Sequence, residues 1–153
     1  MIFEKNEVVK NDGTPYLVFT PYSKKWKSLF ESLNKVEYKT EEFIENLLSQ
    51  DIKQDLLSLQ EMGFEYGKNN IPKTSVSKNL IRSYHDNRNF PSIDGTSRLG
   101  IHLRFGTISI RALVNSSISL SETFINELIW RDFYQMIIFH FPHSAENSFR
   151  KEY

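Results

Sequence analysis

Residues 121–140 read Ser121-Glu122-Thr123-Phe124-Ile125-Asn126-Glu127-Leu128-Ile129-Trp130-Arg131-Asp132-Phe133-Tyr134-Gln135-Met136-Ile137-Ile138-Phe139-His140, and their periodicity decides the fold. Ser121 is a good helix N-cap, and Pro142 stops the run just past His140. At about 100° per residue, Phe124, Glu127, Trp130, Arg131 and Tyr134 gather on one face roughly 120° wide. Ile125, Leu128, Ile129, Phe133, Met136 and Ile137 fill the remaining faces. A helix apolar almost all round belongs in the middle of a protein. Glu127 and Arg131 are therefore expected inside it, or at a cavity wall, where a charge must be paired or bound to something. Two plain alternatives stand beside that reading. Glu127 and Arg131 at i,i+4 can be an ion pair that only supports the helix, and Trp130 and Tyr134 can be ordinary core.

Composition sets the limits around this helix. With 153 residues, 39% of them apolar and 14% aromatic, the chain can bury one real core. Lys plus Arg equals Asp plus Glu at 19 each, which argues against a strong non-specific hold on nucleic acid. Any DNA contact must be local. The absence of Cys excludes disulfides, thiolate metal sites and a Cys nucleophile, and is compatible with a cytoplasmic protein. No apolar run of about 18 residues spans a membrane. Residues 1–10 carry Glu4, Lys5 and Glu7 where a secretory signal needs an apolar core. His85, His102, His140 and His143 lack metal-ligand spacing and read as surface or packing residues.

Upstream, residues 1–23 read as extended chain and turns, an arm or linker lying on something larger. Asn11-Asp12-Gly13 is a turn signal, Tyr16 to Thr20 leans toward strand, and Pro21 stops that run. From Ser23 the pattern turns helical, with Trp26, Phe30 and Leu33 on one side. A second helical region opens at Thr40 and runs through Phe43, Ile44, Leu47 and Leu48, then Leu56, Leu57 and Leu59; its many charges suggest a solvated outer face. Residues 63–73 are loop-like, with Gly67, Asn69-Asn70 and Pro72. A helix is expected from Ser75 to about Tyr84. The fold class expected is all-α.

Two further clusters carry possible chemistry. In Gly95-Thr96-Ser97-Arg98-Leu99-Gly100 a turn glycine feeds two hydroxyls and a guanidinium into the first turn of a helix, with Thr96 or Ser97 as cap. Free N–H groups and the helix dipole there favour a phosphate; plain capping with a solvated Arg98 is the alternative. The helix should run through Leu99, Ile101, Leu103 and Phe105 to Gly106, and Ser109 should cap the next. Tyr84 and Arg88 form the other cluster, which alone is no more than a helix end.

Together these clusters resemble the DNA photolyase and cryptochrome family. Tyr84-His85-Asp86-Asn87-Arg88-Asn89-Phe90-Pro91 with Gly95-Thr96-Ser97-Arg98-Leu99, then His102-Leu103-Arg104-Phe105-Gly106-Thr107-Ile108-Ser109, then Asn126-Glu127-Leu128-Ile129-Trp130-Arg131-Asp132-Phe133-Tyr134, are similar to family segments in the same order. Val18-Phe19-Thr20-Pro21-Tyr22 with Lys25-Trp26 resembles the join between an antenna domain and the helical domain. Two departures stand out. Asn89 sits where the family usually has Asp, and Phe124 where a Trp is common beside the flavin.

The resemblance implies a helical domain holding FAD, with residues 1–23 as linker from an antenna domain and residues 24–153 as the first part of the FAD-binding domain. Tyr84, Thr96, Ser97, Arg98, Leu99 and Gly100 match phosphate and ribityl contacts; Phe124 and Arg131 match further flavin-side positions. Arg88 matches a DNA-backbone contact. Glu127 and Trp130 match the catalytic pocket that receives a flipped pyrimidine dimer, with Arg131 and Tyr134 on the same DNA-facing side. Light-excited reduced flavin would pass one electron to the dimer, which splits and returns it. On this view the chain is cut from a longer, monomeric parent, with an antenna chromophore before Met1 and the rest of the FAD site after Tyr153. The piece alone is expected to be inactive, to hold FAD weakly and to self-associate through its unpartnered last helix. A cryptochrome-type receptor is the second reading, against which Glu127 counts. A helical module without cofactor is the third; it leaves residues 95–100, Tyr84 and Arg131 unexplained.

Overall fold

The computed structural model describes residues 1–33, 40–47, 55–67, 70–150 and 152. Its helices are α1 (Phe19–Ser32), α2 (Lys78–Arg82), α3 (Tyr84–Asn87), α4 (Gly100–Phe105), α5 (Ile110–Ser117) and α6 (Glu122–His140), with 3-10 turns at Thr40–Asn46 and Pro142–Ala145. Among the described residues there is no strand, only one antiparallel bridge between Val9 and Pro15. The fold is all-α, as its periodicity requires.

The chain divides into two units, Met1–Leu33 with Pro72–Tyr153, and Asn34–Ile71. In the first, α1, α3 and α5 all pack on α6. Ile125, Leu128, Ile129, Asp132, Phe133 and Met136 of α6 are buried. They fall at i, i+3, i+4, i+7, i+8 and i+11, the stripe a helix presents to one core. Against it lie Tyr22, Trp26 and Phe30 of α1, Ile81 of α2 and Val114 of α5. Each large apolar side chain so enclosed stabilises the fold by roughly 1.5–3 kcal/mol. The opposite side of α6 is open: Tyr134 and Ile138 are each at least half exposed, and so is Phe139 at the end of the buried stripe. The helix is therefore buried on one side, not all round.

The ends of these helices follow local chemistry. Ser121 Oγ accepts the Phe124 N–H at 3.3 Å, and Ser109 Oγ accepts that of Ala112. Gly106 closes α4 with φ at 68°, in the left-handed region that favours glycine. The expected helix over 75–84 starts later, capped by Ser77. It turns at Ser83 and continues as α3 to Asn87.

Three sequence expectations need correction. Phe19 and Thr20 open α1 and are not strand, and Pro21 sits in its first turn, where a missing N–H costs nothing. Helix α1 thus crosses position 23, and the arm before it is core: Ile2, Phe3 and Val8 are buried. Its turn is tied by Asp12, which accepts the Thr14 N–H and hydroxyl at 2.9 and 2.7 Å; the hydroxyl contact first, then the amide, pulls the Asp12 carboxyl below its usual range. Second, Leu33 is exposed, because it is the extended C-cap just past the end of α1. Third, Thr96 and Ser97 do not cap α4. Leu99 takes the N-cap position, without a side-chain bond.

In the second unit Phe43, Ile44, Leu47, Leu56, Leu57 and Leu59 are all exposed, and residues 40–46 form 3-10 rather than α-helical turns. Leu48 and Asn69 lie outside the described residues.

Candidate functional site at the open face of the last helix

The contact between α3 and α6 assembles the first group. Tyr84 meets Phe124 edge to face, with centroids 5.3 Å apart. His85 Nδ1 lies 3.2 Å from the Thr123 hydroxyl. One turn further on, Arg88 Nη1 donates to Glu127 Oε1, and its guanidinium lies 5.5 Å from the centre of the Tyr84 ring. Glu127 and Arg88 are about one-third exposed, at 37% and 31% of their side chains. The hydrogen bond to Glu127 pushes the Arg88 pKa up further; burial, then the Glu127 charge, raises that of Tyr84.

The expected i,i+4 pair is not made. Arg131 turns the other way: Nη2 donates to the Leu103 carbonyl at 3.2 Å, and Nη1 lies 3.9 Å from Asp132 Oδ1. Neither of those last two atoms has a hydrogen-bond partner. Glu127 thus faces α3 while Arg131 reaches α4. A helix carrying both charges gives each its own neighbour, because side chains four residues apart meet only when nothing better lies across the interface.

Between them Trp130 stacks on Phe19, with centroids 3.7 Å apart and planes within 4°. Tyr134 lies 5.2 Å from the same indole at 24°. Tyr134 is 56% exposed, so this end of the site is open. Phe124, expected beside the flavin, is buried at the α3 contact. The loop before α4 is exposed at Thr96, Arg98 and Gly100 and buried at Gly95 and Leu99. Gly95 presses on Asn87: an added Cβ would meet the Asn87 side chain at 2.7 Å and its carbonyl oxygen at 2.9 Å. Glycine is required there by space. Arg98 has φ at 52° and pairs with Asp94 at 2.9 Å.

Asp132 is the residue the helical wheel passed over. It is fully buried on the core side of α6. Its Oδ2 accepts the Ile2 N–H at 3.1 Å and the Trp26 indole N–H at 3.2 Å. Burial raises its pKa above the usual carboxylate range, and these two donors pull it partly back. A signal was available: Asp132 falls seven residues after Ile125, four after Leu128 and four before Met136, within the buried stripe. His102 is buried too, between the Thr107 hydroxyl at 2.8 Å and the Pro72 carbonyl at 2.7 Å. That is a packing role. Among the described residues no group of acidic, His or Cys side chains could hold a metal, and no helix is long and apolar enough to cross a membrane.

Taken together, these contacts define a helical cluster whose central helix carries a carboxylate, an indole and a guanidinium on its half-open side. No protein-family model matches the chain. It is similar to the deoxyribodipyrimidine photo-lyase of Alkalihalophilus pseudofirmus, with 32% identity over 169 residues covering 98% of the chain and 35% of that relative. The photo-lyases of Halobacterium salinarum and a Synechococcus species are 26% and 27% identical, over 94% and 98% of the chain and 34% and 36% of their own lengths. The chain is similar to these DNA photo-lyases along nearly its whole length, and it spans about a third of the length of the curated relatives it matches.

Proposed function

We propose that this chain supplies the first part of the flavin- and lesion-binding domain of a light-driven DNA photolyase that splits cyclobutane pyrimidine dimers. The observation that carries this reading is the joint placement of Glu127, Trp130 and Arg131 on the half-open side of α6, within photolyase-like sequence that covers nearly the whole chain.

The residues suit a flavin dinucleotide in their chemistry. The Nη1 atom of Arg131 is buried and unpartnered, and a guanidinium in that condition asks for an acceptor. Thr96 and Ser97 offer hydroxyls, and a Cβ built at Gly100 would meet nothing within 4 Å, so a ligand can approach the backbone there. Asp94 already neutralises Arg98, and a phosphate would compete with it. On this reading Tyr84, Thr96, Ser97, Arg98, Leu99 and Gly100 hold the phosphate and ribityl part of FAD, while Phe124 and Arg131 stand on its ring side. Bound reduced flavin supplies light-driven one-electron reduction.

The chain's own side chains do the rest. Glu127 accepts a hydrogen bond from a base that has left the duplex stack. Trp130 gives that base a flat apolar surface and, with Tyr134, keeps water from it. Arg88 reaches the DNA backbone from α3. With equal numbers of cationic and anionic side chains, binding rests on these local contacts. The exposed Tyr134, Ile138 and Phe139 favour self-association of the isolated chain.

The test joins this chain to the remainder of the Alkalihalophilus pseudofirmus enzyme in place of its matching third. Flavin that co-purifies with the hybrid, and blue-light repair of an oligonucleotide bearing a thymine dimer, are the expected results. The isolated chain should retain little flavin through gel filtration. A folded hybrid without flavin defeats the cofactor assignment; a flavin-loaded hybrid that leaves dimers intact under light defeats the repair assignment and turns the reading toward signalling.

A further inference from the structure

We propose that Asp132 sets the orientation of the Trp130 indole without touching it, acting through Trp26 and Phe19 of α1. The role of Trp130 as a base platform rests on the reading above; the mechanical link does not.

Helix α1 is held on α6 by polar and aromatic contacts. Lys27 pairs with Glu122 at 2.6 Å, on the surface. Beside it the Trp26 indole N–H donates to Asp132, with both residues fully buried. At the start of α1 Phe19 lies flat on Trp130 at 3.7 Å, and Phe19 and Tyr22 meet Phe133 edge to face. Exposed ion pairs hold helices weakly, so the buried bond is the polar contact that fixes how α1 slides and turns on α6. Phe19 and Trp26 are seven residues apart, two turns and about 10 Å along one side of α1. A helix is stiff over that length, so a shift at Trp26 is passed to Phe19.

Asp132 has a second hold. The same Oδ2 accepts the Ile2 N–H, and Phe3 meets the Trp26 ring edge to face at 5.4 Å. The arm therefore closes over Trp26 and prevents the indole from rotating away from its acceptor. Both donors converge on one oxygen, which ties the arm and α1 to the same point of α6. A carboxylate in the core costs free energy that a Leu would not; here it selects one placement of the ring against which Trp130 lies.

The chain offers a direct readout because it has two tryptophans. Trp26 is fully buried and Trp130 is not, so acrylamide quenching of the isolated chain reports chiefly on Trp130. D132V, which removes the acceptor, should raise quenching toward that of an exposed indole. D132N, which keeps an acceptor oxygen, should restore most of the wild-type value. F19L should raise quenching by itself, and D132V added to F19L should raise it little further, because both act through one stack. If D132V does not fold, W26F cuts the same bond from the other side and leaves Trp130 as the sole indole.

Unchanged quenching in a folded D132V overturns the proposal, as does a full F19L effect on quenching in the W26F background, D132N behaving like D132V, or additivity of F19L and D132V. In the hybrid with the Alkalihalophilus remainder, F19L and D132V should weaken dark binding of a thymine-dimer oligonucleotide roughly tenfold, the loss expected for one base stacked on a ring. Single-turnover repair of the bound dimer should be unchanged. Full binding affinity in both variants of an active hybrid also overturns it. A wild-type hybrid that binds no dimer overturns the function proposed for the site, while the quenching series still decides the link from Asp132 to Trp130.

Discussion

The two sides of α6 hold charge in different ways. On the core side Asp132 is sealed from water, and its Oδ2 takes two donors from distant parts of the chain, 130 and 106 residues away, while Oδ1 has no hydrogen-bond partner. On the open side Glu127 keeps over a third of its side-chain exposure and pairs with Arg88 across a helix contact. The first arrangement cannot be undone without opening the core. The second can be exchanged for another partner at little cost, since a half-exposed ion pair is worth about 1 kcal/mol or less. A structural carboxylate and the carboxylate proposed to meet the lesion thus sit five residues apart on one helix.

The largest effect is expected on the core side. Asp132→Ala should destabilise the chain by about 2–4 kcal/mol, since it strands the Ile2 and Trp26 donors; urea unfolding followed by circular dichroism measures it. The wild-type carboxyl, with its pKa raised, binds its proton more tightly folded than unfolded. Stability should therefore rise as the pH falls from neutral through the folded value, with the gain complete below the ordinary carboxyl pKa. Asp132→Asn should lose that contribution, and if its pH profile matches the wild type's, the burial argument for Asp132 is wrong.

Next comes the open side. In the hybrid enzyme Glu127→Ala should weaken dimer binding by roughly ten- to a hundredfold, the span of one hydrogen bond to a charged group, and Trp130→Ala by a similar factor. Glu127→Ala should not lower stability as Asp132→Ala does, and a reversal of that order would erase the contrast between the two sides. Arg88→Ala should cost about 1 kcal/mol of stability or less and should reduce the salt dependence of DNA binding by about one unit of slope, read from affinities across a salt series. The smallest effect belongs to the second unit: Leu56 is 92% exposed, and Leu56→Ser should change stability by no more than about 0.5 kcal/mol.

That last case shows where sequence reading holds and where it stops. Leu56, Leu57 and Leu59 are as apolar as anything in α6, yet all three are exposed, and residues 55–58 do not form the helix expected there. The caps at Ser109 and Ser121 and the stop at Gly106 were legible because each depends on residues within a few positions. Phe19 and Thr20 misled, since β-leaning residues before a proline describe a strand end and the first turn of a helix equally well. The all-round apolar character of α6 misled as well: Ile138 and Phe139 are apolar and half exposed, because composition records what a residue prefers and not whether a neighbour is there to cover it.

The sequence by itself determined the helical class, the caps of α5 and α6, the stops of α4 and α6, and the set of side chains that share the open side of α6, because these follow from a period of 3.6 and from capping chemistry within single turns. Only the tertiary structure decided the pairings: Glu127 with Arg88 in place of Arg131, Arg131 with the Leu103 carbonyl, Phe19 flat on Trp130, and Asp132 with Trp26 and Ile2. Those contacts join residues far apart in the chain. Which of several possible partners a buried or half-buried group takes is settled by the packing of whole helices, and no local pattern carries that information.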